Sequence, residues 1–375
     1  MIETILYVLY GVLVLALGVG VWKLRAGLKR FRITTIMTPA QMIETHPSVT
    51  VCIPARNERH ALTDCLDGVI KSNYPKLEVI VLDDVSHDDT SALIKSYASE
   101  GVRFVEGSAL PEGWLGKNHA LQKLLEEASG TYVLFMDVDT RLAPDAIEQL
   151  VAYAQQEGAQ MVSVLPRRED GWRASVLFST LRYFWEIMFD RREAPATASN
   201  AWLIHRQTLL QRWGGFEPFK AAIQPESRFS TELLREGAYR FVVGTAALGV
   251  SYEKKWRSQL STSVRLLYPL LGGRWSHAVI AVLDLLIFAS PLYIILAGFA
   301  WGWGPQQFIA AALWLAIGIV YGWYARAVWL RGWAIAVLIW PFIVLQEAVL
   351  VAVSAERYHR RAVTWKGRVV KAPKL

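Results

Sequence analysis

The chain has 375 residues, 53% of them hydrophobic, with 16 Trp and a net charge of +7. That is too apolar for an ordinary soluble enzyme. Two cysteines, Cys52 and Cys65, are too few for a disulfide framework or a cysteine-rich zinc site, and both are expected to be reduced and structural. The pattern holds no aromatic-basic module for nucleic acid, so the positive charge points to anionic lipid headgroups.

The apolar excess lies at the two ends. Ile5 to Trp22 is an uncharged stretch of about 18 residues, enough to cross a bilayer as a helix. It has neither a basic n-region nor a small-residue cleavage site, so it reads as an anchor. The collar Lys23, Arg25, Lys29, Arg30 and Arg32 then places the central part of the chain in the cytoplasm. Residues 1–32 are therefore expected to be anchor and collar, in an integral protein of a bacterial plasma membrane.

Residues 45–255 carry mixed charge and alternate strand-like and helix-like patterns. Ser48–Pro54 reads as a buried strand, Glu58–Lys71 as a helix and Leu77–Leu82 as a second strand. Next come a helix over Asp89–Ser99, with Asp89 or Thr90 capping, a short strand over Val102–Val105, a helix over Lys117–Glu127 and a strand over Tyr132–Met136. The order predicts an α/β domain with a parallel sheet and right-handed crossovers. Continuous apolar strands fit a sheet covered on both faces.

The C-terminal third changes character. Residues 256–276 form an interfacial segment whose Leu260–Arg274 stretch is amphipathic. Residues 277–355 hold three apolar segments, Ala278–Ala300, Phe308–Trp323 and Trp333–Val353, with tryptophans suited to an interfacial belt. Residues 356–375 are a basic tail. Four spans would put that tail opposite the central domain, yet its charge calls for the same side. One segment must then be re-entrant or interfacial, and Phe308–Trp323 and the Pro341-bearing segment with Gln346 and Glu347 are the weakest.

The chemistry collects at strand ends. Asp137-Val138-Asp139 closes the apolar run Tyr132–Met136, and residues at i and i+2 of a strand share a face. Two carboxylates so placed suit a hard cation such as Mg²⁺ or Mn²⁺, which prefers carboxylate together with phosphate oxygens. Open α/β folds hold ligands at that rim. Pro54-Ala55-Arg56-Asn57-Glu58 ends the first strand and Asp83-Asp84-Val85-Ser86-His87-Asp88-Asp89-Thr90 the second. Acids there can bind base or ribose, or hold a bridging cation. Arg56 and Lys117 can meet the diphosphate. For Asp89, capping is the favoured role. His87, His119 and His205 are isolated and read as structural, with His119 worth testing because it lies near Lys117.

These three motifs, in this order, resemble the signature of family 2 glycosyltransferases of GT-A fold, over roughly Val49–Val243. The resemblance implies a GT-A, Rossmann-like nucleotide-diphospho-sugar transferase domain with transmembrane helices at both ends. It implies that Asp84 contacts the base, Asp137 the ribose and metal, and that Asp139 is the direct metal ligand. Gly113-Trp114-Leu115-Gly116-Lys117-Asn118-x-Ala120-Leu121 and Val363-Thr364-Trp365-Lys366-Gly367-Arg368 are similar to segments of membrane-bound members that glycosylate carotenoids, hopanoids or sphingolipids. After Gly214-Gly215-Phe216 the family carries Glu-Asp, whose Asp is the general base. Here Glu226 is followed by Ser227. Glu226 is the favoured base, Glu232 the substitute, and impaired catalysis the third possibility. No Gln-x-x-Arg-Trp motif stands in the right place, which argues against a processive polysaccharide synthase.

The expected function is inverting transfer of a sugar from a nucleotide sugar, expected to be UDP-linked, to a membrane lipid acceptor. A polyprenyl-phosphate sugar transferase, supported by Lys254, Lys255 and Arg257, and a non-catalytic nucleotide-binding membrane scaffold are the alternatives.

Overall fold

A computed structural model describes residues 2–32, 46–169, 173–190, 193–365 and 368–369. The elements run α1 (Ile2–Phe31), β1 (Val49–Ala55), α2 (Arg59–Ile70), β2 (Leu77–Asp83), α3 (Thr90–Ser96), β3 (Val102–Glu106), α4 (Gly116–Glu127), β4 (Tyr132–Met136), β5 (Thr140–Leu142), α5 (Ala146–Gln156), β6 (Met161–Leu165) and β7 (Arg167–Arg168). Then come α6 (Ala174–Leu177), α7 (Arg182–Met188), β8 (Ala201–His205), α8 (Arg206–Trp213), α9 (Pro225–Arg235), β9 (Tyr239–Val243), β10 (Val250–Tyr252), α10 (Trp256–Leu270), α11 (Trp275–Phe288), α12 (Ser290–Trp301), α13 (Pro305–Val328), α14 (Ala336–His359), β11 (Thr364–Trp365) and β12 (Arg368–Val369). They form two compact units, an α/β unit of residues 31–167 and 191–253 and a helical unit holding the rest. Residues 168–190 thus cluster with the helices although they interrupt the α/β sequence.

The α/β unit is built on a seven-stranded sheet of order β3-β2-β1-β4-β8-β6-β9. The expected parallel half is present, since β2 pairs in parallel with β1 and β3, and β1 with β4. Beyond it the sheet is mixed: β8 runs antiparallel to both β4 and β6, and β9 parallel to β6. Apolar alternation decides which face each strand residue serves. Val49, Val51 and Ile53 pack with Leu62 and Leu66 of α2 and Leu150 and Val151 of α5. Cys52 points the other way, with its thiol on the Leu124 carbonyl of α4. Both cysteines are buried and unbonded, and burial pushes the Cys65 thiol up to about 12, so it stays protonated and inert.

Register brings the candidate residues to one edge. Ala55 lies opposite Asp83, and Cys52 opposite Phe135, so continuing the second ladder sets Ala55 level with Val138. The loops after β1, β2 and β4 therefore leave the sheet together, where doubly wound sheets place their ligands.

In the helical unit, Glu3–Phe31, Pro305–Val328 and Trp333–His359 are long and apolar enough to cross a membrane. On α1, Leu15 is 72% and Trp22 68% exposed, a face suited to lipid. Its other face, Tyr10 and Leu13, packs on Ala310 and Leu313 of α13. The expected span Ala278–Ala300 is instead two helices, α11 and α12, parted at Ala289. Pro291 stands in the first turn of α12, a position where proline opens a helix and does not continue one. The two segments judged weakest from sequence are continuous 24-residue helices. Polar side chains in α14 are absorbed internally: Gln346 donates to the Phe178 carbonyl (2.9 Å), which also receives Gln259 of α10 (2.8 Å), and Glu347 is buried. The amphipathic stretch is α10, tied to α14 by Tyr268 N–H to Ser354 Oγ (3.0 Å) and Tyr358 Oη to the Arg265 carbonyl (2.7 Å). It meets α11 at a bend of 118°. Of the C-terminal motif and tail, Lys366, Gly367, Lys371 and Lys374 lie outside the described residues, as does residue 45; β11 and β12 pair antiparallel.

Candidate active site

The loops after β1 and β2 are laced together. Arg56 donates through Nη1 to the Asp84 and Val85 carbonyls, the latter at 2.9 Å. Asn57 N–H donates to Ser86 Oγ (2.9 Å), and its own Oδ1 accepts from His87 N–H (2.8 Å). Glu58 N–H reaches Thr90 Oγ1 at 2.9 Å. Asp84 N–H donates to the Ala55 carbonyl (2.7 Å), and Asp83 Oδ1 accepts from Ser86 N–H (3.3 Å). Asp83 and Asp84 are buried by this lacing, as is Arg56. Asn57 (φ 52°) and Val85 (φ 56°) adopt the left-handed region, and for a β-branched residue that conformation is strained. The cap of α3 differs from expectation. Asp88, not Asp89, takes Thr90 N–H (3.1 Å) and Arg59 N–H (3.4 Å), while Asp89 pairs with the exposed Arg59 side chain (2.8 Å). Those bonds outweigh desolvation and leave the Asp88 carboxyl below its ordinary range.

Asp137 and Asp139 stand just past the strand. Asp137 N–H donates to the Asn200 carbonyl and the Asp137 carbonyl accepts Thr140 N–H, both at 2.9 Å, so a turn rather than a strand presents the pair. Val138 between them is buried, which leaves both carboxylates on the accessible side. Asp139 offers its carbonyl to Glu253 N–H (3.0 Å), joining it to the chain beyond β10. Lys117, in the first turn of α4, puts Nζ 2.6 Å from Asp137 Oδ1 and 3.4 Å from the Ser199 carbonyl.

Glu226 sits in the first turn of α9 and is buried. The buried positions of α9 include Glu226, Phe229, Ser230 and Leu233, one stripe at helical spacing. Glu232 lies off that stripe and is occupied by Trp213 Nε1 (3.0 Å) and Arg212 (3.4 Å). The two candidate bases thus differ in burial and in partners. Beneath α9, Phe229 is ringed by Trp202, Trp213, Phe216 and Phe219.

Asn118, which stands in the Gly113–Leu121 motif without an assigned role, and Gln122, which no motif names, tie these parts together. Asn118 Nδ2 faces three carbonyls, of Phe219, Lys220 and Ala222, at 3.0, 3.1 and 2.8 Å. It anchors the approach to α9 beside Lys117. Gln122 Oε1 accepts Phe216 N–H at 2.7 Å. A polar residue on the inner side of an amphipathic helix was the available signal for Asn118. His119 is buried edge-on against Trp114, their rings 5.6 Å apart.

The donor set suits a hard divalent cation. Asp137 and Asp139 supply carboxylate oxygens, and among the described residues no group of three or more His, Cys, Asp or Glu surrounds a common point. That leaves most of a coordination shell to ligand and water oxygens, the arrangement Mg²⁺ and Mn²⁺ favour. The ammonium on Asp137 shows that the position accepts positive charge.

Comparison with known proteins agrees with this geometry. Residues 50–212 match the family model for Glycosyl transferase family 2. A 4,4'-diaponeurosporenoate glycosyltransferase of Staphylococcus aureus (strain bovine RF122 / ET3-1) is 36% identical over 124 residues, 32% of either chain. The match thus spans about a third of the relative's length. The fold is shared with a mannosyltransferase, PcManGT from Pyrobaculum calidifontis, solved with GDP-Man and Mn²⁺: TM-score 0.60 and 20% identity over 95% of this chain and 99% of that one. The GT-A fold expected from the sequence is the fold found.

Proposed function

We propose that the protein transfers a sugar from a nucleotide sugar to a membrane lipid acceptor, with inversion, in one displacement. The observation that carries this reading is the convergence of Asp84, Lys117, Asp137 and Asp139 on the C-terminal edge of one sheet. Asp83 and Asp84 lie where a base and ribose can be hydrogen-bonded, and the lacing by Arg56 and Asn57 fixes their loop before the donor arrives. A divalent ion on Asp139 and Asp137 would offset the charge of the departing diphosphate. Lys117, beside Asp137, would bind the same diphosphate. Glu226 would take the proton from the acceptor oxygen, a hydroxyl or carboxyl, as that oxygen attacks the sugar carbon and the bond to diphosphate breaks. Its burial and its place on the inward stripe of α9 favour it over Glu232. Ser227 turns its hydroxyl to the Gln224 carbonyl (2.8 Å), a local capping role.

A lipid acceptor is supported by the three apolar helices and by the name of the Staphylococcus relative. The donor base is open between uracil and guanine, since the mannosyltransferase of the same fold was solved with GDP-Man. We place the α/β unit in the cytoplasm on the strength of Lys23, Arg25, Lys29 and Arg30 at the end of α1. In membranes given Mn²⁺ and donor, Glu226→Gln should lose at least about 100-fold of transfer into extracted lipid, the range expected for a general base. It should retain nucleotide binding. Unchanged transfer in that variant refutes the assignment of the base.

A further inference from the structure

We propose that Lys117 serves as a built-in counter-cation for Asp137, and that a nucleoside diphosphate, by drawing this ammonium away, opens the carboxylate to the divalent ion. The inference rests on the donor-site reading above. Its observation is the contact of Nζ with Asp137 Oδ1 at 2.6 Å, made by side chains only 22% and 25% exposed. Shielding of that degree makes the pair stronger than one on an open surface.

A carboxylate that holds an ammonium is a poorer ligand for a divalent ion, because the two positive charges would stand within a few ångströms of each other. In this arrangement Lys117 and the metal compete. Lys117 has a second acceptor nearby, the Ser199 carbonyl at 3.4 Å, but among the described residues no second carboxylate is paired with it. An arriving diphosphate carries more negative charge than Asp137 and is the better partner for the ammonium. It would meet Lys117 in the first turn of α4, where the unpaired N–H groups of a helix start also favour an anion. Removal of Lys117 from Asp137 then converts a half-neutralised acid into a full metal ligand. Nucleotide and metal bind cooperatively, and linkage requires each to tighten the other by one factor.

The test is Mn²⁺ titration of the full-length protein in detergent, read from the free-ion EPR signal, without nucleotide and with UDP or GDP. The wild type should bind Mn²⁺ about tenfold or more tighter with the preferred nucleotide than without it, within the usual span of coupling factors. Lys117→Met should bind Mn²⁺ alone several-fold tighter than wild type, and its gain from nucleotide should shrink. Lys117→Arg, which keeps the cation, should behave like wild type, and thermal unfolding checks that each variant is folded. If wild type shows the nucleotide-dependent gain but Lys117→Met binds free Mn²⁺ no better, this inference fails and the donor-site reading stands. If no protein takes up Mn²⁺ with either nucleotide, the donor-site reading fails and takes this one with it.

Discussion

Gly214 and Gly215 are adjacent, and their demands are different. Gly214 (φ 66°) ends α8 in the left-handed region, with nothing within 4 Å of where a Cβ would stand. At Gly215 (φ 96°) a Cβ would lie 2.4 Å from Gln122 Oε1, the atom that accepts Phe216 N–H. Gly215→Ala should therefore lower stability by about 2–4 kcal/mol, from strain and a disturbed hydrogen bond. Gly214→Asn should cost under about 1 kcal/mol. Thermal unfolding of the two variants checks the contrast, and equal losses would contradict it. The sequence flags this glycine pair as a marker before the candidate base. It does not expose the reason, because Gln122 lies 94 residues from Phe216. The anchoring role of Asn118, though not its place in the Gly113–Leu121 motif, escaped for the same cause: its three carbonyl partners are about a hundred residues away along the chain. Residue types at the strand ends were legible because local spacing carries their chemistry.

Among the elements, the four parallel strands and their helices could be read directly, since each has its own period and turn signals. β6, β8 and β9 could not. They lie in the mixed half of the sheet, and their identity comes from partners distant in sequence. The strand ends opposite the site are also fastened. Glu78 of β2 accepts Thr50 Oγ1 (2.6 Å), Ser129 N–H (3.0 Å) and Ser129 Oγ (2.9 Å), joining β1 and β2 to the turn before β4. Desolvation pushes this carboxyl up, but the hydrogen bonds and Arg103 outweigh it, and the net shift is downward. A lowered folded value adds stability that is complete above the unfolded carboxylate value, about 4.3, and is lost as pH falls through the folded value. Glu78→Gln should cost about 1–2 kcal/mol at pH 7. The gap from wild type should narrow as pH falls below the ordinary carboxylate range, measured by thermal unfolding in detergent. A gap that widens on acidification would contradict the sign.

For the whole molecule, the break between α11 and α12 offers a way out of the conflict in span count. If α1, α13 and α14 cross, and α11 and α12, too short to do so alone, do not, the chain between α1 and α13 and the chain after α14 fall on one side. On that count the basic tail is expected on the side proposed for the α/β unit, in line with its charge. A fluorescent reporter fused after Leu375 should mature, as it does only in the cytoplasm. A dark, exported reporter would restore a fourth span, with the bent α10–α11 pair as the candidate. Proline placement explains why hydropathy misjudged the segments: Pro291 interrupts one apolar run, whereas Pro341 is carried within the continuous helix α14.

Labelled sugar transfer from a panel of nucleotide sugars, run on membranes with Mn²⁺ and completed by mass spectrometry of the extracted lipids, bears most directly on the function proposed. One donor should yield a glycosylated lipid, and Asp139→Ala should abolish that product while the protein remains folded. Product formed equally well by Asp139→Ala, or none from any donor by wild-type protein that binds nucleotide, would contradict the account.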